Sequence, residues 1–381
     1  MKPSSLKLIR GYGQSVWLDY LDRELIDSGA LRRLIENDAI AGVTTNPAIF
    51  EKSINGSTHY DGTIAALARQ GQSPTAIYRH LTVRDVADAA TLLRPMYDAS
   101  DGVDGYVSLE VSPHLAHDTE GTLREARELW GALDQPNVLI KVPATRAGLP
   151  AVRRLLAEGI NVNVTLLFGL TRYAEVAQAY LAGLEDREQA NRSVRSVASV
   201  ASFFLSRIDT LVDTMVEDLS KQSASSQADA LPLKGECAIA CAKLAYGQFR
   251  TTLSSARFRA LAQRGARVQR LLWASTSTKN AAYSDVKYVE PLIGPDTINT
   301  MPLETIDAYR DHGQPAMRLM EELPRYEDVL TRLARLGIDR EGVAQQLEEE
   351  GLRKFIAPYD KLIVSIERKV RAQRPGQGQT S

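Results

Sequence analysis

The chain has 381 residues, of which 44% are hydrophobic and 24% charged, and its formal net charge is −1. Such a balance fits a globular protein with a sizeable core and excludes any general electrostatic pull toward nucleic acid or an anionic membrane. Two cysteines, Cys237 and Cys241, cannot build a disulfide framework, and no apolar run approaches signal-peptide or membrane-spanning length, so a cytoplasmic protein is expected.

Eight short segments have strand character, rich in Val, Ile, Leu and Thr and mostly bounded by Gly, Pro, Asn or Asp. In chain order they are 15–19, 42–45, 105–110, 137–142, 160–165, 196–202, 268–275 and 286–292. Amphipathic patterns lie between them, such as 121–133, opened by Asp118-Thr119 and rich in Glu and Arg. Eight alternations of strand and helix predict a closed (β/α)8 barrel rather than an open doubly wound sheet. The stretches 50–103 and 207–267 are too long for single crossovers, and each is expected to add helices. Within the second, 220–230 reads as a surface turn. Residues 299–371 read as several helices, with Gly337 and Gly351 as stops. One domain is expected over 1–371, with 372–381 as a Pro/Gly/Gln-rich disordered tail.

These strands carry polar groups near their C-terminal ends, where a barrel keeps its active site. Asp19 closes Val-Trp-Leu-Asp; Thr44, Thr45 and Asn46 precede Pro47; Glu110 and Lys141 sit in otherwise apolar strands. Asn161, Asn163 and Thr165 alternate, so period two puts them on one face, and all these groups are expected to converge on one mouth. Burying a lysine ammonium is costly, and desolvation favours the neutral, nucleophilic amine. A lone lysine at a strand end has a bland explanation, a snorkelling side chain or an ion pair with Glu110. Two carboxylates, two asparagines and a threonine at neighbouring strand ends favour chemistry at Lys141 instead. Asp19 and Glu110 suit proton transfer, although Asp19 could equally cap a helix and Glu110 equally pair with Lys141.

Five ordered motifs resemble the transaldolase family: Ala-Gly-Val-Thr-Thr-Asn-Pro (41–47), Tyr-Val-Ser-Leu-Glu-Val-Ser-Pro (106–113), Asn-Val-Leu-Ile-Lys-Val-Pro-Ala-Thr (137–145), Ile-Asn-Val-Asn-Val-Thr-Leu-Leu-Phe (160–168) and Trp-Ala-Ser-Thr-Ser-Thr-Lys-Asn (273–280). Length and inserts look most like the longer bacterial members found in cyanobacteria and actinobacteria. The resemblance implies a Schiff base on Lys141, with Asp19 as acid/base on the C4 hydroxyl. It implies that Glu110 and Thr165 hold a proton-relaying water, and that Thr44, Asn46 and Asn163 bind the dihydroxyacetone part. Phosphate would fall to Ser202 and Arg207, which flank the loop into a helix over 208–219, and to Ser277 and Lys279. Many relatives carry arginine where Lys279 stands, and lysine offers phosphate a point charge rather than a fork. No cofactor or metal is implied; the expected partners are sugar phosphates, with monomer or homodimer left open. A fructose 6-phosphate aldolase, a non-catalytic sugar-phosphate-binding barrel and a metal-dependent barrel lyase are the competing readings.

Other signals stay weak. His114 and His117 lack an obvious third ligand and suit a surface loop. Cys237 and Cys241 share a helical face and suit ordinary packing. Gly11-Tyr12-Gly13 precedes its strand and so fails the dinucleotide fingerprint, and no Walker A sequence is present. Trp17, Trp130 and Trp273 are expected in the core.

Overall fold

A computed structural model describes residues 4–372. Eight parallel strands close into a barrel: β1 (Gln14–Leu18), β2 (Ile40–Val43), β3 (Tyr106–Glu110), β4 (Val138–Pro143), β5 (Val162–Leu167), β6 (Ser199–Phe204), β7 (Arg270–Ala274) and β8 (Thr297–Met301). Every neighbouring pair is parallel, and β8 pairs with β1 from Gln14↔Thr297 to Leu18↔Met301. Closure leaves no sheet edge, and helices cover the outside, so the strands are buried along their whole length.

Seven of the eight expected strands overlap observed ones; the eighth is displaced. Residues 286–292 form turns and a short 3-10 segment, Glu290–Leu292, whereas β8 lies at Thr297–Met301. Pro291 interrupts the apolar run and cannot donate to a ladder. That run is buried because side chains hold it from below: Gln14 Nε2 and Trp273 Nε1 both donate to the Leu292 carbonyl, at 2.7 and 3.1 Å. The true strand, Thr-Ile-Asn-Thr-Met, looks too polar for a core because Thr297 and Asn299 face the β7–β8 connection and find partners there, while Thr300 faces the cavity. Asn299 Nδ2 donates to the Tyr288 carbonyl at 3.0 Å.

The long stretches add helices as expected: Pro47–Asn55, Asp61–Arg69 and Pro74–Ala99 in the first, Ser206–Ser220, Ala224–Ala230, Cys237–Ser254 and Ala256–Gln263 in the second. The 220–230 turn is therefore mostly a short helix, capped by Ser223, whose hydroxyl accepts from the Ser226 amide. Thr119–Leu133 begins with Asp118 as its cap, close to the expected 121–133. After β8 come Leu303–His312, Leu323–Arg335 and Arg340–Ala372. Gly337, at φ +82°, ends the second of these as expected. Gly351 does not stop a helix: it lies inside the last one, where a Cβ would meet Leu166 Cδ2 at 2.9 Å. The glycine permits close packing of that helix on the end of β5. Ala372, the first residue of the expected tail, is helical, and the rest of that expectation, 373–381, lies outside the described residues.

The floor of the barrel is polar and paired. Arg270 lies 3.0 Å from Asp104 and donates to Ser15 Oγ, which in turn donates to Asp104 at 2.9 Å. Trp17 and Trp273 are fully buried and Trp130 packs partly buried against the core. Cys237 and Cys241 are buried free thiols, and among the described residues no helix is long and apolar enough to cross a membrane.

Candidate active site

Most of the expected groups meet toward the C-terminal end of the barrel: Asp19, Thr44 and Asn46 stand just past their strands, Glu110 ends β3, and Lys141, Thr165 and Ser202 lie in the second halves of β4, β5 and β6. Asp19 follows β1 and is held by Thr44, whose hydroxyl donates to Asp19 Oδ1 at 2.8 Å. The hydroxyl of Thr300, on β8, lies 2.7 Å from that of Thr44. The helix after β1 takes Asp22 as its cap, which frees Asp19 from that structural duty. Asn46 caps Pro47–Asn55, its Oδ1 accepting from the Ile49 amide at 3.0 Å, which leaves its amide hydrogens available.

Lys141 lies on β4 in register with Glu110 on one side and Asn163 on the other. It is 4% exposed, so its amine needs partners. Nζ donates to the Thr45 carbonyl at 2.9 Å and lies 3.8 Å from Glu110 Oε2. The looser second distance makes Glu110 a charge neighbour rather than a tight ion-pair partner. Burial pushes the Glu110 carboxyl up to about 7 against the opposing pull of Lys141. Burial likewise raises Asp19, opposed by Lys141 and the Thr44 hydrogen bond. Both Glu110 oxygens and the Thr165 hydroxyl are buried and have no hydrogen-bond partner among the described residues.

Asp19, Thr44, Asn46, Lys141, Thr165, Ser202, Arg207, Ser277 and Lys279 line one cavity of about 240 Å³. Glu110 stands beside Lys141, just outside this lining, and Asn163 lies one layer deeper. The Asn163 amide donates to Ser108 Oγ at 3.0 Å and accepts from Ser202 Oγ at 2.7 Å. Ser202 thus orients Asn163 besides facing the cavity. Asn161 departs from expectation: it precedes β5, and its amide binds the Pro136 and Val138 carbonyls and the Ala198 N–H at the barrel floor. The strand is long enough for period two to carry one end of the polar row away from the mouth. Beyond Val164 the register of β5 also shifts, with Leu166 at φ +56°.

Arg207 is the second residue of Ser206–Ser220, so the helix starts earlier than expected and the guanidinium sits in its first turn. It is half-buried between the rings of Phe204 and Phe355, at 5.4 and 6.0 Å, with Nη1 unpartnered among the described residues. A cation in a helix's first turn opposes the macrodipole, so an anion there would satisfy arginine and helix together. Ser277 accepts from Lys279 Nζ at 2.6 Å, and Lys279 is exposed. The ends of β6 and β7 are joined by Ser206 and Ser275, whose hydroxyls are 2.8 Å apart. His114, by contrast, pairs with Asp360 on the surface at 2.7 Å, away from the cavity.

Several lining groups had no readable signal. Thr300 belongs to the displaced strand. Phe355 comes from the last helix, more than two hundred residues after Lys141, and its ring lies 5.9 Å from Lys141 Nζ. Only the packing of Arg340–Ala372 across the mouth brings it there. Glu304, near Asp19, also lines the cavity, and Thr276, inside a quoted motif, donates to the Thr300 carbonyl at 2.9 Å.

A buried amine, two carboxylates of raised pKa and an unpaired guanidinium at one end of a closed barrel define the class: a (β/α)8-barrel enzyme centred on a lysine. The chain belongs to the transaldolase/fructose-6-phosphate aldolase family, whose model matches residues 16–366. It is 46% identical to Transaldolase 2 of Nostoc sp. (strain PCC 7120) over 372 residues, covering 96% of this chain and 98% of that protein. Identity to the transaldolase of Trichodesmium erythraeum is 45% over 98% of this chain and 100% of the relative. With the transaldolase of Mycobacterium tuberculosis it is 46% over 94% and 95%.

Proposed function

We propose that this chain is a transaldolase that moves a dihydroxyacetone unit from sedoheptulose 7-phosphate to glyceraldehyde 3-phosphate, giving erythrose 4-phosphate and fructose 6-phosphate. The carrying observation is the buried Lys141 amine, 3.8 Å from Glu110, in a cavity that also receives Asp19 and Arg207.

The Lys141 amine adds to the C2 carbonyl of the ketose phosphate, and loss of water from the carbinolamine gives an imine. Glu110, whose carboxyl titrates near neutrality, and Thr165 relay the protons through a shared solvent molecule. Asp19 removes the C4 hydroxyl proton; the C3–C4 bond breaks, its electron pair moves into the protonated imine, and the aldose phosphate leaves. The three-carbon enamine stays on Lys141 and attacks the carbonyl of the incoming aldose phosphate, with Asp19 returning the proton. Thr44, Asn46 and Asn163 hold the dihydroxyacetone hydroxyls. Arg207, Ser277 and Lys279 meet the phosphate, with Ser202 at the same end. The reaction belongs to the non-oxidative pentose phosphate pathway, and a cytoplasmic location goes with it.

Incubation with fructose 6-phosphate and borohydride tests the reading: peptide mapping should find a reduced three-carbon adduct on Lys141 and none after Lys141→Ala. An adduct on another lysine, or none, refutes the mechanism. Because the family also holds fructose 6-phosphate aldolases, turnover is compared with and without erythrose 4-phosphate. Fast release of free dihydroxyacetone in its absence would make the chain an aldolase instead.

A further inference from the structure

Ser277 and Lys279 stand on the β7–β8 connection, residues 275–296, which has little regular structure beyond the turn Glu290–Leu292. A loop of this length needs side-chain anchors to hold two ligating groups in place. Its anchors are two tyrosines. Tyr283 Oη donates to Asp213 Oδ2 at 2.6 Å, and Tyr288 Oη donates to Asp209 Oδ2 at 2.9 Å. The two aspartates are four apart on Ser206–Ser220, so they share a face of the helix that begins with Arg207. Both are buried.

Each aspartate uses its other oxygen on the second long insertion: Asp213 accepts from the Gly235 amide at 2.7 Å, and Asp209 from the Ala238 amide at 2.8 Å. Lys287 completes the joint, donating to the Gly235 carbonyl and lying 4.0 Å from Asp209. Three parts of the chain are therefore fixed to one another: the helix of Arg207, residues 235–238 farther along the insertion, and the loop of Ser277 and Lys279. Lys279 lines the cavity over Lys141 and also a second pocket, of about 160 Å³, walled by Asp209, Asp213, Glu217, Tyr283 and Tyr288. Its ammonium thus stands between a phosphate subsite and an acidic pocket. The tyrosine hydroxyls occupy the aspartate oxygens that would otherwise compete for it.

We propose that Tyr283–Asp213 and Tyr288–Asp209 are positioning pairs that hold Ser277 and Lys279 opposite Arg207, so that the three grip one substrate phosphate. This rests on the phosphate assignment made above. It gives the 207–267 insertion a task, bracing the far side of both aspartates.

The test compares Tyr283→Phe, Tyr288→Phe and their combination with the parent protein, with Asp213→Asn as a second route should the double variant fold poorly. KM and kcat for fructose 6-phosphate and inhibition by inorganic phosphate are measured, together with borohydride-trapped adduct formation from unphosphorylated dihydroxyacetone. Loss of a charge-assisted hydrogen bond at each anchor should raise both KM and the phosphate inhibition constant about tenfold. Trapping of dihydroxyacetone should stay within about twofold, since that ligand makes no phosphate contact. Unchanged KM in folded variants, or equal loss with dihydroxyacetone, overturns the proposal. Arg207→Ala separates it from the reading beneath it. If that change raises KM and the tyrosine changes do not, only the anchoring fails. If inorganic phosphate never inhibits and Arg207→Ala leaves KM alone, the phosphate assignment fails and takes the anchoring with it.

Discussion

Glu110→Gln is the most informative single change, because it alters the charge of Glu110 and little else. The Glu110 side chain is 4% exposed, and burial lifts its pKa from the ordinary 4.5 to about 7. A carboxyl whose folded pKa lies above its unfolded one contributes most to stability below the unfolded value and loses that contribution as pH rises through the folded one. The window is therefore pH 4.5 to 7. A rise of about 2.5 pH units at about 1.4 kcal/mol each sets a ceiling of about 3.5 kcal/mol on the loss. Glutamine has no proton to lose, so the variant lacks this slope. Urea unfolding of both proteins at pH 5 and pH 8 should show the variant gaining on the parent by about 2–3 kcal/mol between the two. The same substitution should slow imine formation from dihydroxyacetone by about 10²–10⁴ and erase an inflection near pH 7 in its rate. A stability difference that stays flat with pH, or an inflection that survives in Glu110→Gln, would refute the assignment of that titration to Glu110.

Asp19→Ala should still let dihydroxyacetone be trapped on Lys141, while cleavage of fructose 6-phosphate falls by about 10²–10⁴; loss of trapping as well would remove Asp19 from its assigned step. Gly351→Ala should destabilise by about 1–3 kcal/mol in urea melts although alanine is the better helix former, because its Cβ would lie 2.9 Å from Leu166 Cδ2. A neutral or stabilising result would mean that the Leu166 side chain turns aside and that the glycine is not required for the packing. Asp104→Ala should cost about 3–5 kcal/mol by stranding the buried Arg270 guanidinium, read as a fall in the urea midpoint at unchanged slope. Replacing both partners by apolar residues of similar volume should cost less than either single change.

Much of this molecule was legible before folding was considered. Strands and helices follow local periodicity and turn chemistry, and Asp19, Glu110, Lys141 and Thr165 betrayed themselves as polar groups in apolar strands. A polar residue is conspicuous in a core segment because burying it unpaired is costly. The same logic misplaced the last strand. Thr297 bonds to the Gly294 carbonyl and Gln14, and the Asn299 amide donates to the Tyr288 carbonyl, partners that only the folded β7–β8 connection and barrel closure bring there, so Thr-Ile-Asn-Thr-Met looked like a poor strand and Val-Lys-Tyr-Val-Glu-Pro-Leu like a better one.

The order and chemistry of the strand ends were thus properties of the sequence, together with the family they spell. Tertiary structure alone decided that Phe355 lies over Lys141 and Arg207, that Asn161 drops to the floor while Asn163 stays near the amine, and that two aspartates anchor the β7–β8 connection. Local pattern reports what a residue costs to bury; its partner across the barrel is set by closure, register and the path of helices hundreds of residues away.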